Sequence, residues 1–237
     1  EDKVLASPFV DNVVMPIFFG NAIGSTSTIL YHYTAPDNAA NDYLIAEAAK
    51  LGAFPDLFDA DGMNAAIMTV EALRATEGAA DADSLRTALE GLSFEGPKGL
   101  IEVRPEDHVA IQDMYIVTLL NVNDPEFKYF EQVGTNRPDV PCLLPEELQD
   151  RCGDLPVGAL GEIPEAPAEE PAGAVSCDEP VKVGIISDLS GSLAIYGAHI
   201  ERSFPLGLEY VTGAAGTEDG VFSLDGCEIE VIWGDDQ

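Results

Sequence analysis

The stretch "GEIPEAPAEEPAGAVS", residues 161–176, limits every fold this chain can adopt. It is proline, alanine and glutamate with almost nothing to bury, so it reads as an extended acidic linker. Residues 138–180 around it carry eight of the chain's sixteen prolines. The expected organisation is a front piece, 1–137, a linker, 138–180, and a back piece, 181–237. No internal repeat is visible.

The back piece has the cleaner pattern. "VKVGIIS" (181–187) is a β-branched run that ends in a glycine-bearing loop, "DLSGSLAIYG". A helix from about Ala198 to Thr212 follows, with Pro205 inside it as a kink or a shifted start. A glycine-rich turn then leads to a second strand over 228–234, "EIEVIWG". Strand, helix and strand make a βαβ unit with parallel strands.

The front piece alternates. "KVLASPFV" and "STILYHYT" read as short strands with an apolar helix-like stretch between them. "PDNAANDYLIAEAAKLG" has polar capping residues, helix formers and a stop at Gly52. "DGMNAAIMTVEALRATEG" places Met63, Ala66, Ile67, Val70 and Leu73 on one helical face. "DADSLRTALEGL" is a third helix, capped by Asp83 or Ser84 and ended by Gly91. "GLIEVRPEDHVAIQDMYIVTLLNV" reads as two or three strands, with "DMYIVTLL" in a sheet interior.

Charge narrows the partners. There are 43 acidic residues against 11 basic ones, a net charge of −32. Such a polyanion repels nucleic-acid phosphates and anionic lipid surfaces, so neither is an expected partner. No apolar run reaches the roughly 18 residues of a membrane span, so no direct membrane insertion is expected. Clustered Asp and Asn at EF-hand spacing are lacking, and no C-x-x-C marks a zinc site. His32, His108 and His199 are scattered, which points to neither a metal cluster nor a catalytic triad. G-x-S-x-G, the P-loop and the dinucleotide fingerprint are all missing, so no cofactor and no enzymatic activity are expected.

The four cysteines fall into two pairs. Cys142 and Cys152 bracket "CLLPEELQDRC", a loop that a disulfide can close. Cys177 and Cys227 each precede a β-rich run, and if those runs are neighbouring parallel strands the two thiols meet. An even count with workable geometry for both pairs points to an oxidising compartment.

Taken together, "VKVGIISDLSGSLAIYG", its helix and "IEVIWGDDQ" resemble the amino-terminal βαβ of the type I periplasmic binding proteins, and most closely the branched-chain amino-acid (Leu/Ile/Val)-binding family of ABC transporters. "YHYTAPDNAANDYL", "FDADGMNAAIMTVEAL" and "LSFEGPKGLIEVRPEDHVAIQDMYIV" resemble the carboxy-terminal part of the same family. The resemblance implies an α/β fold of parallel-sheet, three-layer lobes, here partial or permuted. The order is rotated, tail before head, and the family's interior has no counterpart in this chain. A permuted piece, a segment across the junction of two tandem copies, and one part of a two-chain assembly all fit.

The resemblance further implies a periplasmic or secreted protein. Its function would be to deliver a small organic solute, an amino acid or related compound, to an ABC transporter permease. A ligand-sensing or assembly module, completed by a second copy or a complementary fragment, is the alternative. Ligands of open α/β sheets bind beyond the carboxyl ends of the strands. That position here is the loop 188–197. Ser190 and Ser192 offer hydroxyls, Gly191 allows close approach, and Tyr196 matches a ligand-contacting aromatic of the family; "SGS" read as a plain turn and helix cap is the competing view. The patch "FDADGMN" contributes Asp59, Asp61 and Met63, where the acids meet an amine or simply cap a helix. Tyr31 and Tyr33 are weaker candidates.

Overall fold

A computed structural model describes residues 8–155 and 175–236. In chain order the elements are α1 (Met15–Phe18), β1 (Thr26–Ile29), α2 (Ala39–Lys50), α3 (Leu57–Ala75), α4 (Ala82–Leu89), β2 (Ser93–Gly96), β3 (Gly99–Val103), β4 (Ala110–Gln112), β5 (Met114–Leu119), β6 (Phe130–Asn136), β7 (Val181–Ser187), α5 (Ala194–Thr212), β8 (Val221–Leu224) and β9 (Cys227–Asp235). Most of "KVLASPFV" and the centre of the expected linker, 156–174, lie outside the described residues, and residues 8–10 form no strand.

Local chemistry sets the helix ends. Asn38 accepts the amide hydrogen of Asn41 at 2.9 Å and starts α2. Gly52, at φ +68°, ends its last turn. Asp56 and Asp59 form a capping box that starts α3 four residues earlier than the apolar periodicity implied. Asp81, rather than Asp83 or Ser84, caps α4 by accepting the Ser84 amide at 3.0 Å. The helix α5 begins at Ala194, not Ala198, and carries Pro205 inside it.

The strands form three sheets of three, in the orders β1-β5-β6, β2-β3-β4 and β7-β9-β8. The first two are antiparallel, with Ile29 opposite Tyr115 in one and Phe94 opposite Ile101 in the other. In the third, β7 runs parallel to β9, from Val181 opposite Ile229 to Ser187 opposite Asp235. This is the expected βαβ. Strand β8 was not expected. It folds back on β9 through Asp225 and Gly226, both at positive φ, which matches the right-handed twist of a two-residue hairpin. Among the described residues the parallel component of the α/β fold is this one strand pair.

Residues of the expected front and back pieces pack together. The helices α3 and α5 pack along their length, although about 120 residues of chain separate them. Gly62 and Ala66 on α3 meet Ser203 and Gly207 on α5, and each pair spaced i, i+4 lies on one helical face. A Cβ at Gly207 would stand 2.6 Å from the Ala66 Cβ and 2.7 Å from the Met63 carbonyl oxygen. A Cβ at Gly62 would stand 2.1 Å from the Ser203 hydroxyl. The small residues let the backbones approach. Flanking them, Val70 and Leu73 of α3 join Phe204 and Leu208 of α5 over Phe222, Cys227 and Ile229 of the back sheet. On the other side Tyr31, Met63, Ile67 and Phe94 pack with Leu206 and Tyr210. A further cluster, Met15, Ile29, Tyr115, Val117 and Tyr129, fills the β1-β5-β6 layer.

Both cysteine pairs are bonded, Cys142 to Cys152 and Cys177 to Cys227, with Cα separations of 5.8 and 4.9 Å. The flanks of the expected linker are built structure. Arg104 donates to the Val140 and Pro141 carbonyls and pairs with Asp107, which accepts the Leu143 amide. Val175 is buried in the α3–α5 core, and the Ser176 amide donates to the Glu77 carbonyl at 3.2 Å. Backbone that meets paired partners and apolar cover holds its place there whatever its proline content.

Two outcomes are expected. Gly207→Val overpacks the helix crossing and costs roughly 1–3 kcal/mol, measured by urea unfolding, whereas the same change at exposed Gly52 costs only its own backbone strain. Raising NaCl from 0.05 to 2 M shortens the Debye length to below about 3 Å, and lifts the melting temperature by roughly 5 °C or more as the repulsion among surplus carboxylates is screened.

Candidate functional site

Three elements converge at the amino ends of α3 and α5. One is the segment 9–14 ahead of α1, and the others are the two helix starts themselves. Asp11 accepts the Val13 and Val14 amides at 3.0 Å each, which turns this segment into α1. The Asn12 amide donates to both carboxylate oxygens of Asp56 at 3.0 Å, and the Leu57 amide adds a third bond at 2.8 Å. Asp56 is buried, and the loss of water pushes its carboxyl up to about 6 in spite of those bonds.

Asp59 is almost wholly buried and its oxygens are fully engaged. The Asp56 amide donates to Oδ2 at 2.9 Å, and Arg202 of α5 donates to Oδ1 and Oδ2 at 2.6 and 2.5 Å. His199 Nδ1 stands 3.7 Å from the same Oδ2. Burial holds the His199 imidazole below its ordinary pKa although the Asp59 charge pulls it up. Tyr196, one turn earlier, lays its ring on Phe58 at a centroid distance of 4.5 Å. Its phenol is held above the ordinary value by burial, by the charges of Asp11 and Asp56, and by a hydrogen bond with Asp11.

The loop after β7 spans 188–193. Ser190, Gly191 and Ser192 are exposed in it, Gly191 at φ +80°, and Leu193, the residue before α5, supplies no side-chain cap. The Tyr196 amide donates to the Leu193 carbonyl at 2.8 Å. The loop turns back over Gly197, where a Cβ would lie 1.8 Å from the Asp188 carbonyl oxygen. Glycine is required there by close approach.

The expected site residues divide. The structure brings Ser190, Gly191, Ser192 and Tyr196 to one end of the β7–β9 sheet, and Asp59 lies behind Tyr196. It places the others differently. Met63 is fully buried in the α3–α5 packing, not on a surface a solute reaches. Tyr33 is buried, and its hydroxyl donates to the Glu126 carbonyl at 2.7 Å. Asp61 pairs with the buried Lys98. Asp59 serves the capping box and Arg202 instead of an amine ligand. Sequence reasoning missed Asp11, Asp56, His199 and Arg202. Asp56 was signalled by the D-x-x-D spacing into Asp59, a capping box; the other three carry no local signal.

The pH dependence of Asp56 follows from its raised value. Between about pH 4 and 6 the folded chain holds a proton there that the unfolded chain has released, so stability falls as pH rises through this window. Asn at this position still caps α3. Asp56→Asn is therefore expected to be more stable than the parent at pH 7, by at most about 3 kcal/mol, and equal to it at pH 4, as read from urea midpoints at each pH.

The sequence pattern of the periplasmic binding proteins matches residues 3–123, just over half of the chain. The Leu/Ile/Val-binding protein homolog 6 of Brucella abortus strain 2308 is 28% identical over 132 residues, covering 51% of this chain and 33% of that protein. Its counterpart in Brucella suis biovar 1 matches to the same extent. The chain thus spans about a third of the length of these relatives. An ABC-type branched-chain amino acid transporter of Rhodopseudomonas palustris CGA009 is a structural neighbour at 30% identity and a TM-score of 0.47, over 54% of this chain and 34% of that one. A solute-binding protein of Rhodopseudomonas palustris BisB5, solved with 3,4-dihydroxybenzoic acid, follows at 25% identity and a TM-score of 0.45, over the same shares. The match over residues 3–123 places this chain in the periplasmic binding protein family.

Proposed function

We propose that this chain is part of an extracytoplasmic solute-binding protein that captures a small organic solute, an amino acid or a related compound, and hands it to an ABC transporter permease. The family match over residues 3–123 carries this reading. The Brucella relatives are named as Leu/Ile/Val-binding protein homologs, and the motif of β7, loop and α5 is read as the head of such a protein. The two disulfides fit an oxidising compartment, periplasmic or secreted. Among the described residues no helix is long and apolar enough to cross a membrane.

The solute-facing part of the chain is the loop 188–193 together with Tyr196. Ser190 and Ser192 donate hydroxyl hydrogen bonds there, and the uncapped first turn of α5 favours a carboxylate. Tyr196 closes the site from the α3 side, where Phe58 and Asp11 fix its ring. Specificity in such a site comes from hydrogen bonds inside a closing cleft, and no bond of the solute is broken.

A thermal-shift panel of amino acids, amides and small carboxylates on the full-length parent protein tests this. A true solute at a hundredfold excess over its dissociation constant raises stability by about 2.7 kcal/mol. Ser192→Ala and Tyr196→Ala are each expected to weaken that solute tenfold or more in calorimetric titration. A flat panel on the folded parent would sink the reading.

A further inference from the structure

His199 lies three residues from Tyr196 and three from Arg202, so it neighbours both on the surface of α5. Tyr196 belongs to the solute-facing end, and Arg202 holds Asp59. His199 therefore stands between the site and the helix joint. Its ring is buried, at 8% exposure, and its Nδ1 has no hydrogen-bond partner. That nitrogen faces Asp59 of α3 and stops 3.7 Å from Oδ2, outside hydrogen-bond reach. Buried ring nitrogens are ordinarily paired. The other donors around this carboxylate meet it closely, Arg202 at 2.6 and 2.5 Å and the Asp56 amide at 2.9 Å. One contact of a dense polar joint is open, and it is the one that a proton can close.

Burial and Arg202 oppose a positive charge on the ring, while Asp59 of α3 and Asp11 of the segment 9–14 favour it. Asp56, in the capping box with Asp59, and Tyr196, whose ring meets the imidazole edge-on, complete the titratable neighbours. The loop after β7 reaches α5 through the Asp188 carbonyl at Gly197. We propose that His199 is a positioning residue that couples the solute site to a proton: as imidazolium it closes the gap onto Asp59 and draws the first turns of α5, with Tyr196 and the loop 188–193, against α3. Closing takes a movement of about 1 Å, from 3.7 Å to the length of a charge-assisted bond. Neutral, the ring releases that turn. A site already set in its closed arrangement has less to order on binding, so solute affinity rises as pH falls, and binding takes up part of a proton. His199 acts on the solute only if the loop 188–193 and Tyr196 face it, as proposed above. Global stability carries the opposite sign. The folded value lies below the unfolded one, so His199 itself costs stability as pH falls through this window, while α5 tightens locally.

The test follows the disulfide-intact protein by imidazole 15N shifts and by amide hydrogen exchange, expressed as protection factors, between about pH 8 and 4.5. His32 is buried and held down to about 4, and His108 is exposed, so the three rings titrate apart. Protection of amides 198–203 should rise about fivefold or more in step with the His199 titration, the lower end of an ordinary coupling. His199→Gln should lose the rise. Asp56→Asn, which removes the other group that titrates in this window, should keep it. A rise that survives in His199→Gln overturns the proposal, and so does protonation of His199 with level or falling protection. Should His199→Gln fail to fold, the parent's protection against its own ring titration decides. L-leucine titrated calorimetrically into the full-length parent at about pH 5.5 and 7.5 should bind more tightly at the lower pH by a similar factor, and His199→Gln should abolish the difference. Equal affinity at both values, or a difference that persists in the variant, overturns the coupling. Absence of leucine binding at either pH rejects leucine as the solute and leaves the exchange result to decide on His199.

Discussion

The crossing of α3 and α5 is the contact on which the rest of the structure depends. It is the only place where residues before and after 156–174 share an extensive core among the described residues. It is close because Gly62 and Gly207 carry no side chain, and it is oriented because Arg202 reaches Asp59 at its amino end. A buried carboxylate with one guanidinium and one backbone donor tolerates little rotation or slip. Apolar packing alone would allow several registers; the bidentate pair admits one.

The scarcity of cations gives the same lesson elsewhere. With only 11 basic residues, the positions where they are buried mark joints. Lys98 meets Asp61 of α3. Arg104 ties the turn after β3 to the chain around Val140. Arg137 donates to the carbonyls of Leu100 and Ile111 and so joins two sheets at one end. Each arginine here donates to backbone carbonyls, and Lys98 carries its own buried ammonium to a carboxylate at the surface. The large surplus of carboxylates over cations, 43 against 11, bears on solubility rather than on fold.

Periodicity and caps made much of this legible before any coordinates. The helices α2 to α4, the βαβ of β7 and β9, and both disulfides follow from local pattern and from the parallel register. The hairpin over 221–229 was equally available: Asp225-Gly226 between two alternating runs is a strong turn signal, and the surrounding glycines masked it. What could not be read was the sharing of a core between α3 and α5, because no local pattern encodes a contact between helices about 120 residues apart. The fates of Met63 and Asp59 followed from that contact. A residue placed near a site by motif is drawn into the interior when its helix face meets another helix.

The two disulfides lie one on each side of residues 156–174, and neither spans them. Each closes a loop within its own half, while the halves are joined to one another by peptide connectivity and by noncovalent packing alone. Connectivity here acts as a concentration: it holds the two helices at the effective molarity of a tethered pair without dictating how they fit. Chain order and spatial order are thus separable in this protein. A gene that joined the same two halves in the opposite sequence, or delivered them as separate polypeptides, would meet the same crossing with the same complementary surfaces, and would differ only in the entropy of bringing them together.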